Sequence, residues 1–466
     1  MAANLDGVFL RKVWKRLRDS AVPIVDSKTY SQADLIAEQL SRSIDQHLFL
    51  PSTIHGYLGI QKGGGVTRFL PILRGEDIGV YYYLCYRLAP RILVRQRGVY
   101  GAWHMKPEMD QESEDNAAAY GQEYGFNPFS SYWWLKEWRQ FNDLISAMIA
   151  DRAIGNYVVS TDIANFYDSI EIPRLISRIR KIASSEADTV EALNAFLSSW
   201  NRRHVGYMPS TKGIPQEIIS DASRILSHFY LQEFDGEFAR YCDLNGLTYA
   251  RWSDDFLIFG GSKQKLESAV HHASRLLRDL GLNLNASKTN YTSKRALKRF
   301  RALPMLSAIS DNDIKAVNRE LKKVKREIAN GDNLRLDTVF RALIGFLSKN
   351  AAARSSTNIA FIHDVAEQNR DLLHSLNNTQ MLRYIQLMDK SLDAFDSLRS
   401  DICRADFGGP KASYLHMMRR YRSQLATIGM TQRMADRAIS QIESRSADSD
   451  VIQEFCVPLV RQQYTK

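Results

Sequence analysis

Apolar and polar residues alternate in different ways in successive parts of the 466-residue chain. From Leu5 to Leu17, apolar residues fall at mixed three- and four-residue intervals with a basic opposite face, which predicts an amphipathic helix. Such a helix suits nucleic acid, an acidic membrane surface or, most simply, docking on a folded core. From Pro51 to Met105 the pattern shifts toward strands and turns, with Gly63-Gly64-Gly65 as the turn signal. Residues from about Gln111 to Gly125 are acidic, small and polar and read as an exposed loop. Phe126 to Ile145 is dense in aromatics, including Trp133, Trp134 and Trp138. Base stacking is one use for such residues; core packing is the simpler one.

Apolar, β-branched runs at Tyr157–Thr161 and on both sides of Asp254-Asp255 read as strands. Ile172-Pro173 opens a helix with proline in its first turn, so Asp168 and Ser169 fit a helix entry better than a ligand role. Beyond Ser310 helical patterns dominate. Within Asp313–Ile328, Lys322-Lys323-Val324-Lys325-Arg326 suits either a duplex backbone or a wet helix face. No repeat of fixed period and no low-complexity tract interrupts the chain.

Composition narrows the class. With 44% hydrophobic and 24% charged residues the chain reads as an ordinary folded, soluble protein, long enough for about three domains. The most apolar stretch, Gly79–Pro90, is broken by Arg87 and is shorter than the ~18 residues a membrane span needs. Arg11, Lys12, Lys15, Arg16 and Arg18 interleave with the first apolar residues, so no signal peptide is expected and the cytoplasm is the expected location. Cys85, Cys242, Cys403 and Cys456 form neither a Cys-x-x-Cys nor a Cys/His ligand set. A net charge of +10 and a pI near 9.3 favour a polyanionic partner.

The most informative segment is Tyr249–Gly260, where Asp254 and Asp255 sit at the predicted tip of a β-hairpin. Two carboxylates at one turn repel each other, and a divalent cation would neutralise both. Ordinary turn residues are the plain alternative. Asp162, at the carboxyl end of its own predicted strand, adds a third acid that a neighbouring strand could bring beside the hairpin. Three carboxylates on adjacent strands could hold a pair of ions roughly 3.5–4 Å apart, the arrangement used in phosphoryl transfer.

These segments resemble the palm motifs of reverse transcriptases. Asp162 with Phe166-Tyr167 resembles the first motif, and Trp252-Ser253-Asp254-Asp255 the aromatic-x-Asp-Asp motif, with Trp in place of the usual Tyr. Lys212-Gly213-Ile214-Pro215-Gln216 resembles the substrate-pocket motif, Gly281–Thr289 the lysine motif, and Ile60–Arg68 the fingers hairpin. Within the family, Asp162–Ile170, Asp221–Leu226 and the long chain after the palm look most like the bacterial abortive-infection and defence-associated enzymes.

The resemblance implies an α+β right-hand polymerase: a basic helical extension at 1–50, fingers at 51–155, a ferredoxin-like antiparallel palm at 156–308, and a helical thumb and C-terminal region at 309–466. It implies DNA synthesis from dNTPs by two-metal phosphoryl transfer, with reverse transcription of an RNA template in antiphage defence. The ions would be Mg²⁺, with Mn²⁺ as a substitute, held by Asp162, Asp254, Asp255 and the carbonyl of Ile163. Tyr167 would be the steric gate against ribonucleotides. Lys62 and Arg68 would reach the triphosphate, with Arg95 and Arg97 as a competing pair. Gln216 would contact nucleotide or template, and Lys288 would stand near the pyrophosphate as a proton donor.

The pocket motif departs from the family pattern, with Glu217 where glycine is usual and its serine at Ser220 or Ser223. Expected partners are an RNA template, with a dedicated noncoding RNA as one form of it, and a DNA product; no membrane partner is expected, and a homo-oligomer stays open. Template-independent or protein-primed synthesis, RNA-dependent RNA synthesis and an inert RNA-binding scaffold are the alternatives.

Overall fold

A computed structural model describes residues 5–63, 66–101, 131–201, 212–216, 221–446 and 449–464. The chain divides into two compact units. The first comprises Met1–Arg16, Val25–Ile54 and Leu73–Leu297; the second comprises Leu17–Ile24, His55–Ile72 and Lys298–Lys466.

The strands in chain order are β1 (Gly56–Gly63), β2 (Val66–Ile72), β3 (Val99–Tyr100), β4 (Tyr157–Asp162), β5 (Thr248–Trp252), β6 (Asp255–Gly260) and β7 (Asn290–Ser293). In the first unit five of them form a sheet in the order β3-β5-β6-β4-β7. Helices Ile172–Ile182 and Asp221–Leu244 lie between β4 and β5 in the chain, and helix Lys263–Asp279 lies between β6 and β7. A βαββαβ order with the spatial arrangement β7-β4-β6-β5 is that of a ferredoxin-like split unit. The sheet is not purely antiparallel as expected, because the two-residue β3 joins β5 in parallel at the edge.

Hydrophobic continuity explains why β4 and β6 are central. Val158, Val159, Phe256, Leu257, Ile258 and Phe259 are all buried, so both faces of these strands are covered. Each such side chain contributes roughly 1.5–3 kcal/mol by leaving water. Phe234 and Phe238, one turn apart on the helix Asp221–Leu244, stack on one another, and Phe234 stacks on Phe256 of the sheet, with centroids 5.5 Å apart. Helix Ile172–Ile182 has proline in its first turn and buries Ile172, Leu175, Ile176 and Ile179, an i, i+3, i+4, i+7 stripe.

The segment Gly75–Ile92 is a helix, although its surroundings read as strands and turns. It is buried on most sides, from Ile78 to Cys85 without a break, so it shows no amphipathic period. The N-terminal helix Gly7–Arg18 takes the docked role: Leu10, Val13 and Trp14 are buried, and Trp14 Nε1 donates to the carbonyl of Gly75 at 2.8 Å. Core packing also accounts for Trp138, whose ring meets Trp252 edge-on at 4.9 Å.

In the second unit β1 and β2 form an antiparallel hairpin that packs on the helix Gly408–Arg420. A Cβ on Gly409 would lie 2.8 Å from Ile60 Cγ2 and 3.3 Å from the carbonyl of Gly59, so glycine is what admits the strand. The hairpin expected within 51–155 is thus grouped with the C-terminal helices. Among the described residues, no helix is long and apolar enough to cross a membrane.

Candidate active site

Register brings the acids together. In the β4–β6 ladder Asp162 is the Cα partner of Asp255, and residues directly opposite in an antiparallel pair present their side chains on one face. β5 and β6 are joined by Ser253 and Asp254 alone, and Trp252 pairs with Asp255. Ser253 takes φ +53°, a left-handed conformation costly for a residue with a Cβ. Its N–H donates to the carbonyl of Tyr100 at 3.0 Å.

Asp162 is fixed from two sides. The N–H of Ile163 donates to the carbonyl of Asp254 at 3.2 Å, and the carbonyl of Asp162 accepts from the N–H of Asn285 at 2.7 Å. Ala164 donates to the carbonyl of Asn283 at 2.8 Å, and Thr161 Oγ1 meets Thr289 Oγ1 at 2.7 Å. The 281–289 segment therefore wraps the end of β4. A 3₁₀ turn at Ala286–Lys288 carries Lys288, whose Nζ donates to Asp162 Oδ2.

The Asp162 side chain is 6% exposed and the Lys288 side chain 56%, so the ammonium reaches in from solvent. Asp162 Oδ1 is buried and has no hydrogen-bond partner among the described residues. A buried carboxylate oxygen without a donor is costly, and an oxygen-only donor set of this kind fits a hard cation. The Lys288 ammonium supplies positive charge at the position where such an ion would neutralise Asp162. Among the described residues, no three His, Cys, Asp or Glu side chains are grouped as a formed metal cluster.

Tyr167, in the short helix Phe166–Ser169, is buried. Burial pushes its phenol above the ordinary range; Arg224 opposes this and Asp254 adds to it. The carbonyl of Tyr167 accepts from the N–H of Ile214 at 3.0 Å, which links the first motif to Lys212–Gln216. Gln216 is half-buried. Ser223 Oγ donates to the carbonyl of Pro215 and lies 2.9 Å from the Tyr81 hydroxyl, so it buttresses the pocket motif. Glu217 and Ser220 lie outside the described residues, as do the expected loop at 111–125 and the side chains of Trp133 and Trp134.

The first unit therefore holds Asp162, Ile163, Tyr167, Gln216, Asp254, Asp255 and Lys288. Lys62 and Arg68 are on the hairpin of the second unit, where Arg68 pairs with Ile60. Arg95 and Arg97 are exposed before β3. Sequence reasoning passed over Arg251 and Asp235, a fully buried ion pair beneath the turn; an arginine inside an otherwise apolar strand was the available signal.

Comparison with known proteins agrees with this geometry. The family described as reverse transcriptase (RNA-dependent DNA polymerase) matches residues 121–328. The Retron Ec83 reverse transcriptase of Escherichia coli is 24% identical over 173 residues, 36% of this chain and 52% of that protein. The match thus spans about half the length of that curated relative. With Asp162, Asp254 and Asp255 inside the matched span, the chain carries a reverse transcriptase domain.

Proposed function

We propose that the chain is an RNA-directed DNA polymerase, and that Asp162, Asp254 and Asp255, with the Ile163 carbonyl, form its Mg²⁺-binding catalytic centre. The observation that carries this reading is the pairing of Asp162 with Asp255 beside the Asp254 turn, together with the Asp162 oxygen that has no donor among the described residues. Two divalent cations bound there would activate the primer 3′-hydroxyl and neutralise the leaving pyrophosphate. The chain's own part is to hold acceptor-only carboxylates in register and to keep the end of β4 rigid.

Lys288 leaves Asp162 for the pyrophosphate and donates its proton there as the general acid. The buried ring of Tyr167 lies under the sugar and excludes a 2′-hydroxyl. Gln216 contacts the nucleotide or the template; a triphosphate-binding role for Lys62 and Arg68 rests on the resemblance of Ile60–Arg68 to the fingers hairpin alone. In this reading the first unit supplies the palm, and the helices of the second supply the thumb.

The resemblance of Asp162–Ile170 and Asp221–Leu226 to defence-associated enzymes, and the similarity to a retron enzyme, support an RNA partner and a role in bacterial antiphage defence. Sequencing the RNA that co-purifies with the protein, and the DNA it makes from dNTPs, tests this reading. DNA complementary to the bound RNA supports it. DNA unrelated to any bound RNA would instead indicate untemplated synthesis, and no DNA at all an inert scaffold.

A further inference from the structure

Beneath the Asp254 turn lies an ion pair to which the proposed chemistry assigns no role. Arg251 of β5 and Asp235 of the helix Asp221–Leu244 are each 1% exposed. Arg251 Nε donates to Asp235 Oδ1 at 2.8 Å and Nη2 donates to Oδ2, a bidentate contact. The Tyr249 hydroxyl donates to the same Oδ1 at 2.8 Å, and Arg251 Nη2 lies 3.5 Å from His228 Nδ1. The remaining guanidinium nitrogen, Nη1, donates to the carbonyl of Ser253.

Stability alone explains the pair poorly, since desolvating two charges offsets much of their attraction and an apolar pair of similar volume is often as stable. An apolar pair, however, cannot hold a carbonyl oxygen. The carbonyl held here belongs to the residue just before Asp254. That residue is in the left-handed region, and its N–H is held by Tyr100 at 3.0 Å. With the Asp254 carbonyl accepting from Ile163, the turn is pinned at three successive backbone sites.

We propose that Asp235 and Arg251 are positioning residues. Asp235 aims the guanidinium, the guanidinium fixes the Ser253 peptide, and that peptide sets the direction in which the Asp254 carboxylate leaves the turn. This inference rests on the polymerase reading for its consequence in catalysis, and on geometry alone for its effect on the turn.

The test uses the full chain as wild type, as the double variant Asp235→Leu/Arg251→Met, and as Arg251→Lys. The double variant removes both charges, whereas lysine can keep a contact to Asp235 but lacks the fork that also reaches Ser253. Three quantities are measured: the melting temperature, amide hydrogen exchange at residues 252–256, and dNTP addition with Mg²⁺. In a folded variant, exchange at the turn is expected to quicken about tenfold while β4 stays protected. The kcat should fall about ten- to a hundredfold, as for a small misplacement of a reacting group, with the dNTP KM changed far less.

Unchanged turn exchange or unchanged kcat in a folded variant overturns the proposal, and loss of the fold in both variants assigns the pair to stability and overturns it too. Absence of nucleotide addition by the wild type counts against the polymerase reading instead, and the exchange measurement then decides the brace by itself.

Discussion

Asp162 stands opposite Asp255 across the β4–β6 ladder, which sets two carboxylates side by side on one face. Like charges in directly opposed positions are destabilising. The chain tolerates them because Lys288 neutralises one. That arrangement makes electrostatic sense for a site that trades a side-chain cation for a bound one.

Removing Lys288 should therefore separate stability from metal binding. The Lys288→Met variant leaves Asp162 without its counter-ion, and the loss is expected to be about 1 kcal/mol, since the lysine is half-exposed. A melting temperature a few degrees lower in EDTA, restored by MgCl₂, is the expected result. Equal Mg²⁺ stabilisation of wild type and variant would contradict it.

Tyr167 is buried beside the turn, and the proposed function has its ring limit the space for a sugar. The Tyr167→Ala variant should narrow the preference for dNTP over rNTP, by roughly 10- to 200-fold on the usual scale of pocket discrimination. Single-nucleotide addition with each substrate measures it, and an unaltered ratio would remove the gate assignment.

Away from the site, burial pushes the Asp77 carboxyl from its ordinary 3.8 up to about 7, opposed by the N–H of Ser52, which donates to it at 3.0 Å. The unfolded chain ionises this group at lower pH than the folded one does. Its contribution to stability is therefore complete below pH ~4 and is lost as pH rises through about 7. Asp77→Asn is expected to flatten that part of the stability profile in denaturant titrations between pH 4 and 8. A variant with the wild-type slope would contradict the assignment.

The site was more legible than its supports. Asp162, Asp254 and Asp255 stand out because each ends or interrupts a short apolar run, a local signal that register then brings together. Arg251 does not stand out, because its partner Asp235 lies on a different element and only the fold joins them. Gly75–Ile92 hides its helical period by being buried nearly all round. The two-residue β3 is too short for any pattern, and its parallel partner is far away in the chain. The hairpin of β1 and β2 was readable from its glycines, but its packing on Gly409 depends on a residue far downstream.

Incorporation of a labelled dNTP with Mg²⁺ on a primed RNA template, compared between wild type and Asp254→Asn, bears on the proposed centre without intermediaries. Steady addition by the wild type, reduced a hundredfold or more in the variant (about the scale of losing a principal electrostatic group) with RNA binding retained, is the expected result. Undiminished synthesis by Asp254→Asn would contradict the assignment of the carboxylates.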